Sequence, residues 1–485
     1  MLELLPTTIR LQDHRSGIEL DHSSLVAAVM RRKAAFLDAG LTAGARVVLG
    51  HGEGAGFIVD LLAAWQIGAV VVAVTPSLTQ AERRRVTAAT NPALWIGIEE
   101  TEGVAWLPPQ TPALERAYRG EIAPRSAALD APALVLMTSG TTSRPKGVVH
   151  SHRSLHARIA LNLAYMDRRD LDRSLALMPM HFGHGLIGNC LTPLAAGANL
   201  TLWPEPGVAG FAMLAELIDA HGITFMSSVP PMWRIVLRAS PAPQMRSLRR
   251  VHVGSAPLSL ELWESIARWC GTRRIVNTYG TTETANWIGG HSLEDGDVAD
   301  GLVGRPWGGM IRVVDSDGGF AETGEGQVAI ATPSLMTGYL DQPELTAKVV
   351  QGGWFLTGDQ GVIDADGRLR LIGRREHEIN KGGVKISAEE IDLLLERHPD
   401  VVEACAFSLE DPVAGEIVAV AVVPVRPGAL NAADLLTWCQ TQIRKEALPA
   451  RIFVVESLAR TERGKISRNH VRAAVLGEDV TARPR

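Results

Sequence analysis

The chain has 485 residues, of which 46% are hydrophobic and 21% charged, as is typical of a folded protein with two or three domains. Lys and Arg together number 48 and Asp and Glu 53, so the formal net charge is −5. This mild acidity argues against the broad basic face that a nucleic-acid-binding protein needs.

Apolar runs of strand length alternate with amphipathic helical stretches along most of the sequence. The runs that predict strands are Arg46–Gly50, Ala69–Val74, Ala133–Met137, Ile223–Val229, Arg274–Gly280 and Gln327–Ala331. Short strands that are apolar on both faces and separated by helices indicate parallel sheets covered by helices on both sides. We therefore predict an α/β fold.

A change of pattern near Gly373 predicts a domain boundary. Residues Asp364–Gly373 form two extended runs around an Asp-Gly turn and predict a hairpin. The elements predicted after it are helix Ala388–Arg397, strand Ile417–Val425, helix Ala432–Glu446 and strand Arg451–Val455. We expect an N-terminal domain of residues 1–373 and a smaller α+β domain of residues 374–485.

Neither a signal peptide nor a membrane span is predicted. The N-terminus lacks a basic stretch followed by a long apolar run, and the apolar run Leu61–Val74 is too short to cross a bilayer. The four cysteines lie far apart without a CxxC pair, which favours buried thiols in a reducing compartment over disulfides or zinc. We expect a cytoplasmic protein.

A glycine-rich segment at Gly50–Ala55 lies between a predicted strand and a predicted helix, as in a dinucleotide-binding fingerprint. The fingerprint also needs an acidic residue after the next strand, where this chain has Thr75 and Pro76. A tight strand-to-helix turn explains the segment better. An NAD(P)-dependent oxidoreductase stays an alternative that an NADH titration would test.

A second segment, TSGTTSRPKG at 138–147, directly follows a predicted strand. Backbone N–H groups, hydroxyls and an ammonium group in such a loop form a cradle for anions. It is not a Walker A loop, because Pro145 precedes Lys146 and Gly147 follows it where that motif has Gly and Ser or Thr. The segment predicts a phosphate-binding loop.

Five motifs in order carry a family resemblance: TSGTTSRPKG, YGTTET (Tyr279–Thr284), GWFLTGD (Gly353–Asp359), LIGRREHEINKGGVKISAEEID (Leu371–Asp392) and RTERGKISR (Arg460–Arg468). From about Ser24 to Arg468 the chain resembles the adenylate-forming superfamily, which includes acyl-CoA synthetases, adenylation domains of nonribosomal peptide synthetases and firefly-type luciferases. The resemblance implies a large N-terminal domain of stacked mixed and parallel sheets with helices, and a small mobile α+β C-terminal domain.

The resemblance also implies the chemistry. Such enzymes join a carboxylate to the α-phosphate of ATP, with Mg²⁺, and release pyrophosphate; a thiol or amine then displaces AMP. The chain shows no carrier-protein region and ends soon after Lys465, so coenzyme A is the expected acceptor. A stand-alone adenylation enzyme that loads a separate acyl carrier protein stays an alternative. The sequence leaves open whether the protein is a monomer or a homodimer.

Residue roles follow from the matching motif positions. The resemblance assigns the β- and γ-phosphates to Thr138, Ser139, Gly140, Thr141, Thr142 and Lys146. Glu283 resembles the magnesium carboxylate, and Thr282 is placed to hydrogen-bond the α-phosphate. Both half-reactions concentrate negative charge, so a site with pre-oriented donors and cations makes physical sense.

The nucleoside is assigned to a second group of residues. Tyr279 matches the aromatic residue that packs on adenine, and Asn277 is placed to read its exocyclic amine. The backbone segments expected beside the nucleotide are Gly254, Ser255 and Ala256, and Gly280 and Thr281. Asp359 matches the ribose ligand, and Arg374 a donor to the ribose or the α-phosphate.

Lys465 matches the lysine that bridges the carboxylate and the α-phosphate during adenylation. In the family, the C-terminal domain then rotates about a hinge, here Glu376, where an Asp is more common. Rotation would bring Gly382 and Gly383 to line a thiol tunnel. Ser143, where the family usually has Gly, and Glu376 also leave open a catalytically inactive binding module.

Residues Met178–Leu186 resemble the motif beside the acyl pocket. The candidate pocket walls are His181, Phe182, Ser228, Val229, Met232, Trp233, Trp287 and Ile288. His181 and His184 have the spacing of metal ligands, but no third ligand is apparent, so zinc is not expected. No aspartate is present in the His181–Phe182 region to bind an α-ammonium group. Trp233 and Trp287 suit an aromatic or alicyclic acid, and medium-chain acids stay an alternative.

Overall fold

The apolar runs of the sequence form strands in the computed structural model. It describes residues 5–51, 54–97, 104–109, 128–138, 146–203, 207–315, 317–374, 377–381, 384–411, 415–443, 445–461 and 465–477. The strands of the first part are β1 (Arg10–Asp13), β2 (Ile18–Asp21), β3 (Arg46–Leu49), β4 (Val70–Ala73), β5 (Leu94–Ile96), β6 (Ala105–Leu107), β7 (Pro132–Thr138), β8 (Lys146–Ser151), β9 (Arg173–Ala176), β10 (Asn199–Leu202), β11 (Phe225–Ser228), β12 (Arg250–Gly254), β13 (Ile275–Gly280) and β14 (Trp287–Ser292).

The later strands are β15 (Leu302–Pro306), β16 (Met310–Val314), β17 (Phe320–Ala321), β18 (Gly324–Ala331), β19 (Gly338–Tyr339), β20 (Val350–Gln351), β21 (Trp354–Ile363), β22 (Leu369–Arg374), β23 (Glu378–Lys381), β24 (Val384–Ser387), β25 (Val401–Asp411), β26 (Gly415–Pro424) and β27 (Arg451–Val454).

The helices are α1 (His22–Asp38), α2 (Ala55–Ile67), α3 (Gln80–Thr90), α4 (His152–Tyr165), α5 (Thr192–Ala196), α6 (Gly207–Ala212), α7 (Leu214–His221), α8 (Pro230–Ala239), α9 (Leu260–Cys270), α10 (Pro343–Val349), α11 (Ala388–Leu395), α12 (Ala432–Gln442) and α13 (Arg468–Leu476). His184–Leu191 form a π-helical segment, and Thr282–Thr284 a single 3₁₀ turn. None of the helices in the described residues has the length and apolar character needed to cross a bilayer.

Two mixed sheets build the N-terminal domain, as predicted. The first has the order β19-β8-β7-β4-β3-β5-β6, with β7 to β6 parallel and β8 and β19 antiparallel. The second, which we call the long sheet, has the order β17-β16-β18-β21-β22-β15-β14-β13-β12-β11-β9-β10-β1-β2. Its strands β1, β10, β9, β11, β12 and β13 are parallel, and most of the others pair antiparallel. The predicted α/β class is confirmed.

Helices fill the space between these sheets and cover the outer face of the long sheet. The inner core joins Leu136 of β7, Ile187 of the π-helical segment and Leu202 of β10. Helices α7, α8 and α9 build a separate core on the other face. Parallel strands β12 and β13 therefore end at one edge of the long sheet, where ligand sites of α/β proteins commonly lie.

The smaller C-terminal domain has a third sheet of order β24-β23-β26-β25, to which β27 adds beside β26. Its two faces carry separate cores, one with α11 and α12 and one with α13. The predicted hairpin at Asp364 is present between β21 and β22, with Gly367 at φ 73° in its turn. The prediction of a helix to Glu446 is wrong at its end, because Ile443 is extended and α12 stops at Gln442.

Candidate active site

The loop after β13 carries the predicted magnesium and α-phosphate residues in a fixed conformation. The Thr281 hydroxyl accepts from the Thr284 N–H, and the Thr281 N–H donates to the Thr284 hydroxyl at 3.1 Å, which closes a capped turn over Thr282–Thr284. The Met336 N–H donates to the Glu283 carbonyl at 2.7 Å. The hydroxyl of Tyr339 donates to Glu283 Oε1 at 2.8 Å. The carboxylate of Glu283 is thus held at the cleft by groups far away in sequence.

His150 of β8 supports the same loop by a hydrogen bond to its backbone. Its Nε2 lies 2.8 Å from the Thr282 carbonyl, which can only accept, so Nε2 carries the proton. Burial lowers the pKa of His150 to about 4, and the imidazole is therefore neutral at pH 7. The sequence analysis did not identify this residue, because a single histidine in a buried strand carries no local signal of its partner.

The predicted ribose residues form one cluster with Tyr279. Asp359 and Arg374 are direct cross-strand partners in β21 and β22, and Arg374 Nε lies 2.9 Å from Asp359 Oδ1. The Tyr279 hydroxyl donates to Asp359 Oδ2 at 2.5 Å. Burial and the neighbouring Asp359 carboxylate raise the pKa of Tyr279 well above its ordinary value. The structure therefore brings together three residues that three separate motifs supplied.

Asn277 lies on the same face of β13 as Tyr279 but faces β15. Its side chain is buried, and its Nδ2 donates to the Leu302 carbonyl at 2.8 Å. An exocyclic amine donates hydrogen bonds, so a contact with adenine would use the side-chain oxygen of Asn277. That role stays a prediction.

The segment Gly254–Ala256 leaves β12 in a conformation that its first residue makes possible. A Cβ at Gly254 would lie 2.4 Å from the Thr278 hydroxyl oxygen, so only glycine fits against β13. Ser255 follows with φ 66°, and its hydroxyl lies 2.9 Å from His184 Nδ1. The segment thus presents its backbone and one hydroxyl to the cleft.

His184 lies between two serine hydroxyls beside the predicted acyl pocket. Its Nε2 lies 2.5 Å from the Ser227 hydroxyl, so both ring nitrogens have serine partners. Burial, and then the Lys465 ammonium, lower the pKa of His184 to about 3. The sequence analysis placed this residue in the motif beside the acyl pocket, weighed it as a metal ligand with His181, and did not include it among the pocket walls. No group of three or more His, Cys, Asp or Glu side chains in the described residues could hold a metal ion.

The predicted pocket walls fall into two groups, and the first comprises His181, Phe182, Trp287 and Ile288. The rings of His181 and Phe182 lie 3.9 Å apart, and Trp287 meets His184 edge-on at 5.6 Å. Ile288 packs in the core beside Tyr279.

The other predicted wall residues pack with α7, α8 and α9. Trp233 is fully buried, packs on Trp269 at 5.3 Å and donates its indole N–H to the Ser228 hydroxyl. Met232 and Val229 pack with the same core of α7, α8 and α9. Their role as pocket walls stays a prediction.

The predicted phosphate loop connects two paired strands. Thr138 and Lys146 are register partners at the ends of the antiparallel strands β7 and β8. The Lys146 ammonium lies 5.8 Å from the ring centroid of Tyr339. Ser139, Gly140, Thr141 and Thr142 lie outside the described residues, as does Ser143.

Lys465 lies in the C-terminal domain beside a short antiparallel bridge. The Thr461 N–H donates to the Lys465 carbonyl at 2.7 Å, and Arg460 and Ile466 form the bridge next to it. The Lys465 ammonium contributes, after burial, to the lowered pKa of His184. The predicted hinge Glu376 and the tunnel residues Gly382 and Gly383 lie outside the described residues.

Comparison with known proteins gives several carboxylate–CoA ligases among the relatives. The chain is 32% identical over 344 residues to an oxalate–CoA ligase of Arabidopsis thaliana, a match that covers 70% of this chain and 66% of that protein. It is 29% identical over 500 residues to a 4-chlorobenzoate–CoA ligase of an Arthrobacter species, covering 96% and 92%. An O-succinylbenzoate coenzyme A synthetase from Bacillus subtilis, solved with AMP, has a TM-score of 0.86 at 25% identity, covering 97% of this chain and 96% of that one.

Two family models match in the expected order. Residues 14–340 match the AMP-binding enzyme family, and residues 390–465 match the AMP-binding enzyme C-terminal domain. The first match alone covers more than half of the chain. The chain therefore belongs to the AMP-binding enzymes of the adenylate-forming superfamily.

Proposed function

We propose that this protein is an AMP-forming carboxylate–CoA ligase. It activates a carboxylic acid with ATP to an acyl-adenylate, releases pyrophosphate, and then transfers the acyl group to coenzyme A with release of AMP. The observation that carries the proposal is the cluster in which the Tyr279 hydroxyl and Arg374 both bind the Asp359 carboxylate. The effect of the Lys465 ammonium on the pKa of His184 supports it. A dinucleotide-dependent oxidoreductase is not favoured by the relatives.

Each residue of the site has its own proposed role in the first half-reaction, the formation of the acyl-adenylate. Asp359 and Arg374 hold the ribose, Tyr279 packs on adenine, and Lys146 contacts the phosphates. The Glu283 carboxylate fits Mg²⁺, because a single well-held oxygen suffices for an ion that keeps several waters, and Oε2 has no hydrogen bond among the described residues. When bound with ATP, the ion supplies positive charge to the phosphates. Lys465 offsets the repulsion between the approaching carboxylate and the α-phosphate.

The second half-reaction needs the thiol where Lys465 was. We propose that the C-terminal domain rotates about Glu376 and brings Gly382 and Gly383 to the cleft. Coenzyme A is the proposed acceptor, in line with the ligases that the chain resembles. Loading of a separate carrier protein is the second candidate, and AMP release that requires coenzyme A distinguishes the two. A cytoplasmic location, where both co-substrates are available, fits this function.

The acid is proposed to lie against His184, Ser255 and Trp287. These side chains present hydroxyl, imidazole and indole groups but no carboxylate, so an acid without an α-ammonium group fits them. The relatives named above act on oxalate, 4-chlorobenzoate and O-succinylbenzoate, which also lack that group.

ATP–pyrophosphate exchange over a panel of carboxylic acids tests the proposal, followed by AMP release with and without coenzyme A. Lys465→Ala should lower exchange by about a hundredfold or more, because a cation at the reacting centre is lost. Lys445→Ala, at an exposed turn of the same domain, is the matched control. Exchange at the wild-type rate in Lys465→Ala would contradict the assigned role.

A further inference from the structure

Tyr339 is fixed to the strand that begins at Lys146. Strand β19 lies at the edge of the first sheet, with Gly338 opposite Val149 and Tyr339 opposite Val148. The Thr337 N–H donates to the Val149 carbonyl at 2.8 Å, and the Leu340 N–H to the Gly147 carbonyl at 2.7 Å. Its backbone therefore follows any movement of β8, and with it the end of the phosphate loop.

The same short segment holds Glu283 by two bonds. The Met336 N–H binds the Glu283 carbonyl at 2.7 Å, and the Tyr339 hydroxyl binds its Oε1 at 2.8 Å. The Tyr339 side chain is 9% exposed and packs with Val148, Met336 and Phe355, which fixes the direction of the hydroxyl. The bond to Glu283 is therefore made by a group that cannot easily turn away.

The ring of Tyr339 also meets Lys146. The ammonium nitrogen lies 5.8 Å from the ring centroid, within the range of a cation–π contact. One side chain thus contacts the cation assigned to the phosphates through its ring, and the carboxylate assigned to magnesium through its hydroxyl. A hydrogen bond that fixes one carboxylate oxygen leaves the other in a defined position, which lowers the cost of ordering it on binding.

We propose that Tyr339 is a positioning residue that sets the carboxylate of Glu283 and the ammonium of Lys146 for the magnesium-bound triphosphate. This inference rests on the proposed function. It assigns to Tyr339 no contact with substrate, and it predicts that the hydroxyl acts through Glu283 and the ring through Lys146.

Titration calorimetry with ATP, with Mg²⁺ and with EDTA, separates these two actions. Tyr339→Phe keeps the ring, so it should bind ATP about tenfold more weakly with Mg²⁺ and unchanged in EDTA, the size expected for one hydrogen bond to a charged group. Tyr339→Leu should weaken binding in both conditions. In pyrophosphate exchange, Tyr339→Phe should raise the half-saturating Mg²⁺ concentration and the KM for ATP, with the KM for the acid unchanged.

Two further variants keep the test decisive. Tyr165→Phe, a tyrosine stacked on Trp307 away from the cleft, should behave as wild type in every measurement. In a Glu283→Ala background, adding Tyr339→Phe should cause no further loss of Mg²⁺-dependent binding, because the carboxylate that the hydroxyl positions is absent. Should Tyr339→Phe lower the melting temperature, the same cycle is read at a temperature where all variants are folded.

The outcomes separate the inference from the function on which it rests. Equal ATP binding and equal Mg²⁺ dependence in Tyr339→Phe and wild type would overturn the positioning role. Losses that multiply in the double variant would overturn it as well. Wild-type protein that neither binds ATP nor exchanges pyrophosphate with any acid would instead overturn the proposed function.

Discussion

The Lys465 ammonium of the C-terminal domain acts on the imidazole of His184 in the N-terminal domain, because burial first and then that ammonium lower the pKa of His184 to about 3. A neutral His184 does not repel that cation. We therefore propose that the domain orientation seen here is the one that serves adenylation.

Two ion pairs join the domains in this orientation. Arg234 of α8 lies 2.5 Å from Glu396 at the end of α11, and Arg397 pairs with Asp300. Both Arg234 and Glu396 are largely buried, so removing either leaves a charge without its partner. We expect Arg234→Ala to slow pyrophosphate exchange roughly tenfold and to leave the reaction of a supplied acyl-adenylate with coenzyme A unchanged or faster.

Rapid-quench measurement of each half-reaction checks this prediction. Arg312→Ala is the control, because Arg312 pairs with Glu322 within the N-terminal domain. Equal losses in both half-reactions would mean that the ion pair stabilises the fold without favouring one orientation.

The imidazole of His184, which contacts two serine hydroxyls, predicts that its removal changes the KM for the acid and not the KM for ATP. His184→Ala removes the group between Ser227 and Ser255, so the wall of the acyl side loses both its shape and its hydrogen bonds. The KM for the preferred acid should rise roughly tenfold, and the KM for ATP should stay within about twofold. Steady-state kinetics measure both. His14→Ala, a surface histidine that packs on Trp203, is the control, and a selective rise in the KM for ATP would contradict the prediction.

The carboxylate of Asp359 predicts that its removal changes the KM for ATP and not the KM for the acid. Asp359→Asn removes the charge that pairs with Arg374 while keeping an oxygen that can accept from the Tyr279 hydroxyl. The KM for ATP should rise about tenfold or more, with the KM for the acid unchanged. Asp366→Asn, in the exposed turn of the same hairpin, should have no effect. An unchanged KM for ATP in Asp359→Asn would remove Asp359 from the nucleotide site.

Sequence motifs identify the elements and residues whose neighbouring positions in the sequence indicate their structure or role. The apolar strands were predicted to within a few residues, because strands buried on both faces are continuous apolar runs. Tyr279, Asp359 and Arg374 come from separate motifs, and the structure brings them into one hydrogen-bonded cluster.

Other features depend on which side chains meet across the fold. His150 and Tyr339 support Glu283 and its neighbour from distant strands, and no spacing in the sequence indicates those pairs. Trp233 is a candidate pocket wall by resemblance, and its packing with α7, α8 and α9 is seen only in the fold.

The buried neutral His150 predicts a loss of stability in acid. Its pKa is about 4 in the fold, against about 6.5 for an unperturbed histidine, so between these values the unfolded chain binds more protons than the folded one. Stability therefore falls as the pH drops through this window, by up to about 1.4 kcal/mol per pH unit for this group.

Glutamine cannot titrate, and its amide can still donate to the Thr282 carbonyl. His150→Gln should lose less stability than wild type between pH 6.5 and about 4.5, as measured by urea unfolding at several pH values. Other buried histidines, His184 among them, act in the same direction in both proteins, so only the difference between the two curves reports His150. Curves that stay parallel over this window would show that His150 is not held neutral.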